Sequence, residues 1–550
     1  MKKIICVVML CLTAAALYAV PPSPGASRGG CIHRSMDITP FRSPSRYAYD
    51  SSVQKVSPPS ISTSGDRNIL VIMVEFRDKK FDSSRRNKDF YETLLGKKDE
   101  SSSSCTMRKY YQDMSGGQLN LTFTVLGPYD LDYDMKYYGE NADGVFGDDI
   151  KAGDLVTDAI SKAKDAGDLD SPWTTHVANW DSDNDGTIDF VAIIHAGAEE
   201  QESFDSDDLY SYQWTLEDAK SAERSTYGKY GITINGITKF FNNFIMTPEY
   251  TTKGVPGPSI GVICHEYGHL LGLPDLYDYT YETDGTGLWS LMSFGSTITL
   301  GNRINGGSAP APLLAWEKYY LGWLTPETIN PTAEPQTFYF SDIEKSRKAW
   351  KINLNSSGSQ YLILEGKKQN ITGTGWTVWE DGLLITHIDE SILEAYWEDN
   401  AVNNTRTRVH GIDVVESESP YYESTGLGSL WNDPGLISGI VCFRSNTKHI
   451  LVPSYPKAAA GIGILACFML LYKKRKKLAI LLLICCIVCF MACSLGGHSS
   501  HSDKRGQDIP NTNYYTSNKI TSKTGISGIR ITVDCPAGSS SGSFTVTKEE

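Results

Sequence analysis

Any fold of this chain must accommodate one short segment, residues 263–275, which reads ICHEYGHLLGLPD. His265 and His269 are four apart, so a helix carries both imidazoles on one face, within reach of one ion. Glu266 lies one step round that helix, where it can meet a water without ligating the ion, take its proton and pass it to a leaving amine. Gly272 ends the helix and permits a sharp turn, which returns Asp275 as a third protein ligand and leaves the fourth position for water. Met292, in the run GLWSLMS at 287–293, follows a short loop downstream, where a methionine turn would put a hydrophobic floor beneath the metal. The competing reading is a satisfied pair of core histidines with Met292 merely packed nearby. The combined pattern outweighs it.

The flanking sequence has the texture of a folded enzyme domain. Residues 68–76 form a continuous apolar, β-rich run suited to a strand covered on both faces. Helices are expected at 85–95, 106–114 and 151–166, and strands at 119–126 and 190–194. Strand and helix alternate to about residue 325, which predicts an α/β or α+β catalytic domain over residues 67–330, with α+β of zincin or metzincin type the preferred form. Beyond it, short alternating runs separated by Gly, Asn and Ser predict a mostly β module over 331–434, and residues 509–550 form a β tail suited to completing it.

These segments together resemble the immune inhibitor A family of secreted zinc metallopeptidases, whose pattern is HExxHxxGxxD. The likeness extends to LVIMVEF at 70–76, YYQDMSGG at 110–117, IIHAG at 193–197, LAWEKYYLGW at 314–323 and GLLITHID at 382–389, covering residues 66–432. The resemblance implies a propeptide, export, zinc-dependent endopeptidase activity on protein or peptide substrates, and often bound calcium. One departure stands at Phe294, where some metzincins carry a Tyr two residues after the Met, so the helper for the developing oxyanion is unassigned.

A second cation loop is legible at Asp181, Asp183, Asp185 and Asp189, positions 1, 3, 5 and 9 of a loop with Gly186 at position 6; Thr187 offers its backbone carbonyl at position 7. Position 12 is Ala192, which predicts a calcium-stabilised loop rather than an EF-hand sensor. His176, His195, His387 and His410 each stand alone and read as packed or surface residues, and Glu249 is an outside candidate for metal or substrate contact.

The two ends of the chain concern location. Lys2 and Lys3, an apolar run at 4–12 and small residues at 14–16 and 19 predict a signal peptide over 1–19, cut after Ala16 or Ala19, with a propeptide or linker over 20–66. Two apolar stretches within 458–495 flank the basic loop 473–477, which predicts a transmembrane helical hairpin and membrane anchorage. A lipoprotein-like signal ending at Cys493 is a rival reading of the second stretch, and residues 435–506 read either as an insertion or as a junction. With seven of twelve cysteines in these apolar runs, Cys31, Cys105, Cys264, Cys442 and Cys535 remain, an odd set without metal-ligand spacing. With a net charge of −14 and its one dense basic run assigned to the hairpin loop, the chain has no basic stripe of the kind a nucleic-acid partner requires, and none is expected. The alternative function is a membrane-tethered, calcium-stabilised surface binding protein with a vestigial peptidase site. Substrate preference and oligomeric state leave no trace in the sequence.

Overall fold

A computed structural model describes residues 61–84, 86–96, 105–142, 149–203, 205–250, 260–278, 285–299, 307–368, 382–397, 400–403, 410–414, 529–534 and 541–548, with short pieces at 18–19, 303–304, 376 and 440–441. The expected hairpin at 458–495 and nearly all of the expected signal peptide and propeptide lie outside these residues. Among the described residues no helix is long and apolar enough to cross a membrane.

The apolar run at 68–76 becomes an inner strand of the first domain's sheet, β2 (Gly65–Glu75), flanked on both sides by other strands. The sheet also contains β1 (Tyr18–Ala19), β3 (Leu119–Asp130), β5 (Val191–Ala198), β6 (Tyr212–Thr215) and β9 (Asn243–Tyr250), in the order β1-β6-β9-β5-β2-β3. β2 pairs in parallel with β3 and β5, and β5 in parallel with β9; β6 runs antiparallel to β9. A small side sheet joins β4 (Thr187–Ile188), β7 (Tyr230–Ile234) and β8 (Ile237–Phe241).

Strand side chains alternate between faces, and β2 shows the consequence. Ile69, Val71 and Met73 enter one apolar cluster while Leu70, Ile72 and Val74 enter another, all of them at most 1% exposed. The helices Ala152–Asp165 and Asp170–Trp180 cover the second face through Leu155, Val156, Ile160 and Trp173. The helices Met107–Ser115 and Ile260–Leu270 cover the first. Helices therefore lie on both faces of a largely parallel sheet, which of the two expected arrangements is the mixed α/β one. Parallel neighbours need crossover connections, and those crossovers supply the covering helices except Ile260–Leu270, which follows the last strand of the sheet.

Past residue 325 the chain is mostly β. The strands β12 (Glu327–Ile329), β14 (Ala349–Asn353), β15 (Gln360–Lys367), β16 (Gly382–Asp389) and β17 (Ile412–Val414) form one sheet. A three-stranded sheet, β13 (Gln336–Phe340), β20 (Gly542–Lys548) and β19 (Ile529–Asp534), packs over it, so the C-terminal tail pairs directly with β13. β15 again alternates: Leu362 and Leu364 enter the core between the two β sheets, whereas Tyr361 and Ile363 enter the cluster that contains the Ile260–Leu270 helix.

Candidate metal centre

All eleven residues of the Ile260–Leu270 helix are buried. An apolar helix so placed needs a reason to carry two imidazoles and a carboxylate, since buried polar groups are costly unless they are engaged. Two glycines let it sit this deep: a methyl at Gly261 would lie 1.9 Å from the Ser296 carbonyl oxygen, and one at Gly268 would lie 2.6 Å from Met292 Sδ. Met292 thus packs directly beneath the turn between His265 and His269. The helix stops at Gly272, whose φ of +89° suits glycine. There Gly272 N–H donates to His269 O at 2.8 Å and Leu273 N–H to Gly268 O at 3.0 Å, the paired bonds of a Schellman stop.

The chain then turns back. Leu276 N–H donates to Met292 O at 2.7 Å, which stitches the residue after Asp275 to the Met292 segment. Asp275 Oδ1 lies 3.0 Å from His265 Nε2 and 3.4 Å from His269 Nε2, and the two Nε2 atoms are 3.1 Å apart. Zinc bonds of about 2.0–2.1 Å imply a tetrahedron edge of about 3.3 Å, so the three donors already form one triangular face of such a site.

The tautomers agree with this. His265 Nδ1 is 2.9 Å from Leu291 O and His269 Nδ1 is 2.8 Å from Leu273 O. A carbonyl only accepts, so both Nδ1 atoms carry the proton and both Nε2 atoms present lone pairs to the shared point. Burial holds the His269 pKa below its ordinary value. Burial also works to raise the Asp275 pKa, but the charge and hydrogen bonds that His269 and His265 would offer when protonated outweigh it and bring it to about 2. Two lone pairs and an anion converging in a dry core repel one another, and a divalent cation relieves that. The donor set fits zinc.

Glu266 is fully buried in the same helix. The Met292 turn has its own support: Met292 N–H donates to Ser290 Oγ at 2.9 Å, and Ser290 Oγ donates to Glu317 Oε1 at 2.8 Å. Phe294 is buried against Tyr277, with ring centroids 6.1 Å apart.

The acidic loop brings only part of its expected set together. Asp181, Asp183 and Asp189 have oxygens within 4.8 Å of one another. Asp185 instead accepts the Thr187 N–H at 2.6 Å, and Lys239 Nζ pairs with Asp181 Oδ2. Glu249 lies elsewhere, its two oxygens accepting Asp82 N–H at 2.8 Å and Gly197 N–H at 3.1 Å. His195 is buried in β5, His387 is buried in β16, and His410 pairs with Asp413 at 3.2 Å.

The sequence reading missed two asparagines. Asn400 bonds Asp275 across 125 positions, and Asn403 donates to Leu276 O at 3.0 Å across 127. Neither belongs to a local pattern that could have flagged it.

The immune inhibitor A peptidase M6 catalytic domain matches residues 59–324. The pre-pro-metalloprotease PrtV of Vibrio cholerae serotype O1 is 27% identical over 285 residues, covering 46% of this chain and 29% of that protein. Immune inhibitor A of Bacillus thuringiensis subsp. alesti is 29% identical over 306 residues, covering 50% of this chain and 41% of that protein. The shared region therefore spans less than half the length of each of these relatives.

Proposed function

We propose that this chain, whose residues 59–324 match the immune inhibitor A peptidase M6 catalytic domain, is an exported zinc-dependent endopeptidase that cleaves protein or peptide substrates with an activated water. The observation that carries this reading is the convergence of His265 Nε2, His269 Nε2 and Asp275 Oδ1 on one point, with Glu266 on the same helix.

Zinc, when bound, supplies Lewis acidity that polarises a carbonyl and lowers the pKa of water. His265, His269 and Asp275 hold it. Glu266 accepts the proton of the attacking water and then delivers it to the departing amine. Met292 and Gly268 keep the floor dry and the imidazoles fixed, so the reacting groups need little reorganisation.

The Asp181, Asp183 and Asp189 oxygens suit a hard cation, and we assign calcium there in competition with the Lys239 ammonium already on Asp181. Export follows from the signal-like N-terminus, and anchorage from the apolar runs flanking the basic loop 473–477. Retention in the membrane pellet after a carbonate wash tests the anchor. A binding protein with a vestigial site is disfavoured, because decay does not preserve a complete donor set beside an intact general base.

Casein hydrolysis tests the enzyme reading. It should disappear with a zinc chelator, return with zinc, and fall by about 10²–10⁴-fold or more in Glu266→Ala with zinc still bound. Undiminished hydrolysis by that variant would refute the mechanism.

A further inference from the structure

The third donor is gripped by a part of the chain that lies beyond the matched catalytic domain. Asn400 follows the helix Glu390–Tyr396 and faces Asp275 with both ends of its amide. Its Oδ1 accepts the Asp275 N–H at 2.7 Å, and its Nδ2 donates to Asp275 Oδ2 at 2.5 Å. The other carboxylate oxygen, Oδ1, is the one directed at the two imidazoles. Both residues are 1% exposed.

A carboxylate can rotate about its last bond and offer either oxygen, or both, to a cation. Tying Oδ2 to an amide donor removes that freedom and aims Oδ1. The amide is itself fixed: Asn400 has φ of +48°, a left-handed conformation asparagine tolerates, and its N–H donates to Trp397 O at 2.9 Å. Asn403 repeats the device one residue along the turn. Its Nδ2 donates to Leu276 O at 3.0 Å and Ile412 O at 2.8 Å, while its Oδ1 accepts Ile412 N–H at 3.0 Å. Trp397 and Val402 are buried in the same apolar cluster as Ile263, Tyr267 and Leu270 of the motif helix, which anchors the clamp to the site.

We propose that Asn400 is a positioning residue of the metal centre, orienting Asp275 to bind through Oδ1 alone, so that the segment around 400–403 is part of the catalytic unit. This rests on Asp275 being a zinc ligand. Partners of ligating carboxylates typically contribute 10- to 100-fold in metal affinity.

The test uses the full chain and measures zinc affinity by competition with a chromogenic chelator, alongside the melting temperature of the metal-free protein. Asn400→Ala should weaken zinc binding by about 10- to 100-fold. Asn400→Asp keeps the size and the acceptor for Asp275 N–H but removes the donor to Oδ2, and should weaken it at least as much. It serves as the variant of record if the alanine form does not fold. Asn403→Ala touches only backbone groups and should lower the melting temperature with a smaller effect on zinc. Asp275→Ala tests the underlying reading and should weaken zinc more than any of these. Unchanged affinity in the Asn400 variants, with Asp275→Ala still impaired, overturns the positioning role and leaves the ligand set standing. Unchanged affinity in Asp275→Ala overturns both.

Discussion

Each imidazole of the candidate centre gives one nitrogen to a backbone carbonyl, at Leu291 or Leu273, and turns the other toward Asp275. That division explains how two histidines can be buried together without partnering each other's charge. His195 is the contrasting case. It sits fully buried in β5, where burial above all, with the Lys79 charge adding to it, depresses its pKa to about 4 despite the Ala196 carbonyl on Nδ1. The folded protein therefore resists protonating it, whereas the unfolded chain takes the proton near pH 6.5. Its contribution to stability is complete above about pH 6.5 and is lost as pH falls toward 4, by about 3 kcal/mol in all. Urea unfolding across that window should show this acid-side loss, and His195→Leu should flatten it; an unchanged slope in the variant would refute the assignment. His265, Glu266, His269 and Asp275 were legible because their chemistry depends on local spacing along one helix and one turn. Asn400 was not, since a contact across 125 positions imposes no periodicity on either partner.

Among the elements, the helix Ile260–Leu270 is packed so tightly that a methyl at either of its two glycines would meet a neighbour inside normal contact distance. Gly261→Ala would drive a methyl into the Ser296 carbonyl, a backbone atom that cannot swing aside, and should destabilise the fold by about 1–3 kcal/mol. Gly268→Ala meets the flexible end of Met292 and should cost less stability while disturbing the floor beneath the histidines. Thermal unfolding of the two variants checks the order, and equal melting temperatures would contradict it. The helices Lys88–Leu95 and Met107–Ser115 were readable to within a few residues because Asn87 and Thr106 cap their first turns with side-chain oxygens and Gly96 and Gly116 end them. The helix Asp170–Trp180 escaped notice. Pro172 and the β-branched Thr174 and Thr175 lower its intrinsic preference, and burial of Trp173 and Trp180 against the sheet holds it instead.

At the scale of the whole molecule, the texture of the sequence changes near residue 325, yet the apolar core does not stop there. One cluster runs from Ile69 and Tyr111 through the motif helix to Ile363, Leu384, Trp397 and Ile412, so the module shares its interior with the peptidase domain. Composition reports which elements form, not which elements share a core, and the continuity was invisible for that reason. Calorimetry of the intact chain should give one cooperative transition for the described sheets, and two well-separated transitions would refute a shared core. The same continuity lets a distant asparagine reach Asp275 in the proposed metal centre, on which the account depends most. X-ray absorption at the zinc edge of purified full-length protein tests that centre directly. The account predicts one zinc per chain, with two imidazole nitrogens and light oxygen donors at about 2.0–2.2 Å. A sulfur-containing shell, or folded protein without stoichiometric zinc, would contradict it.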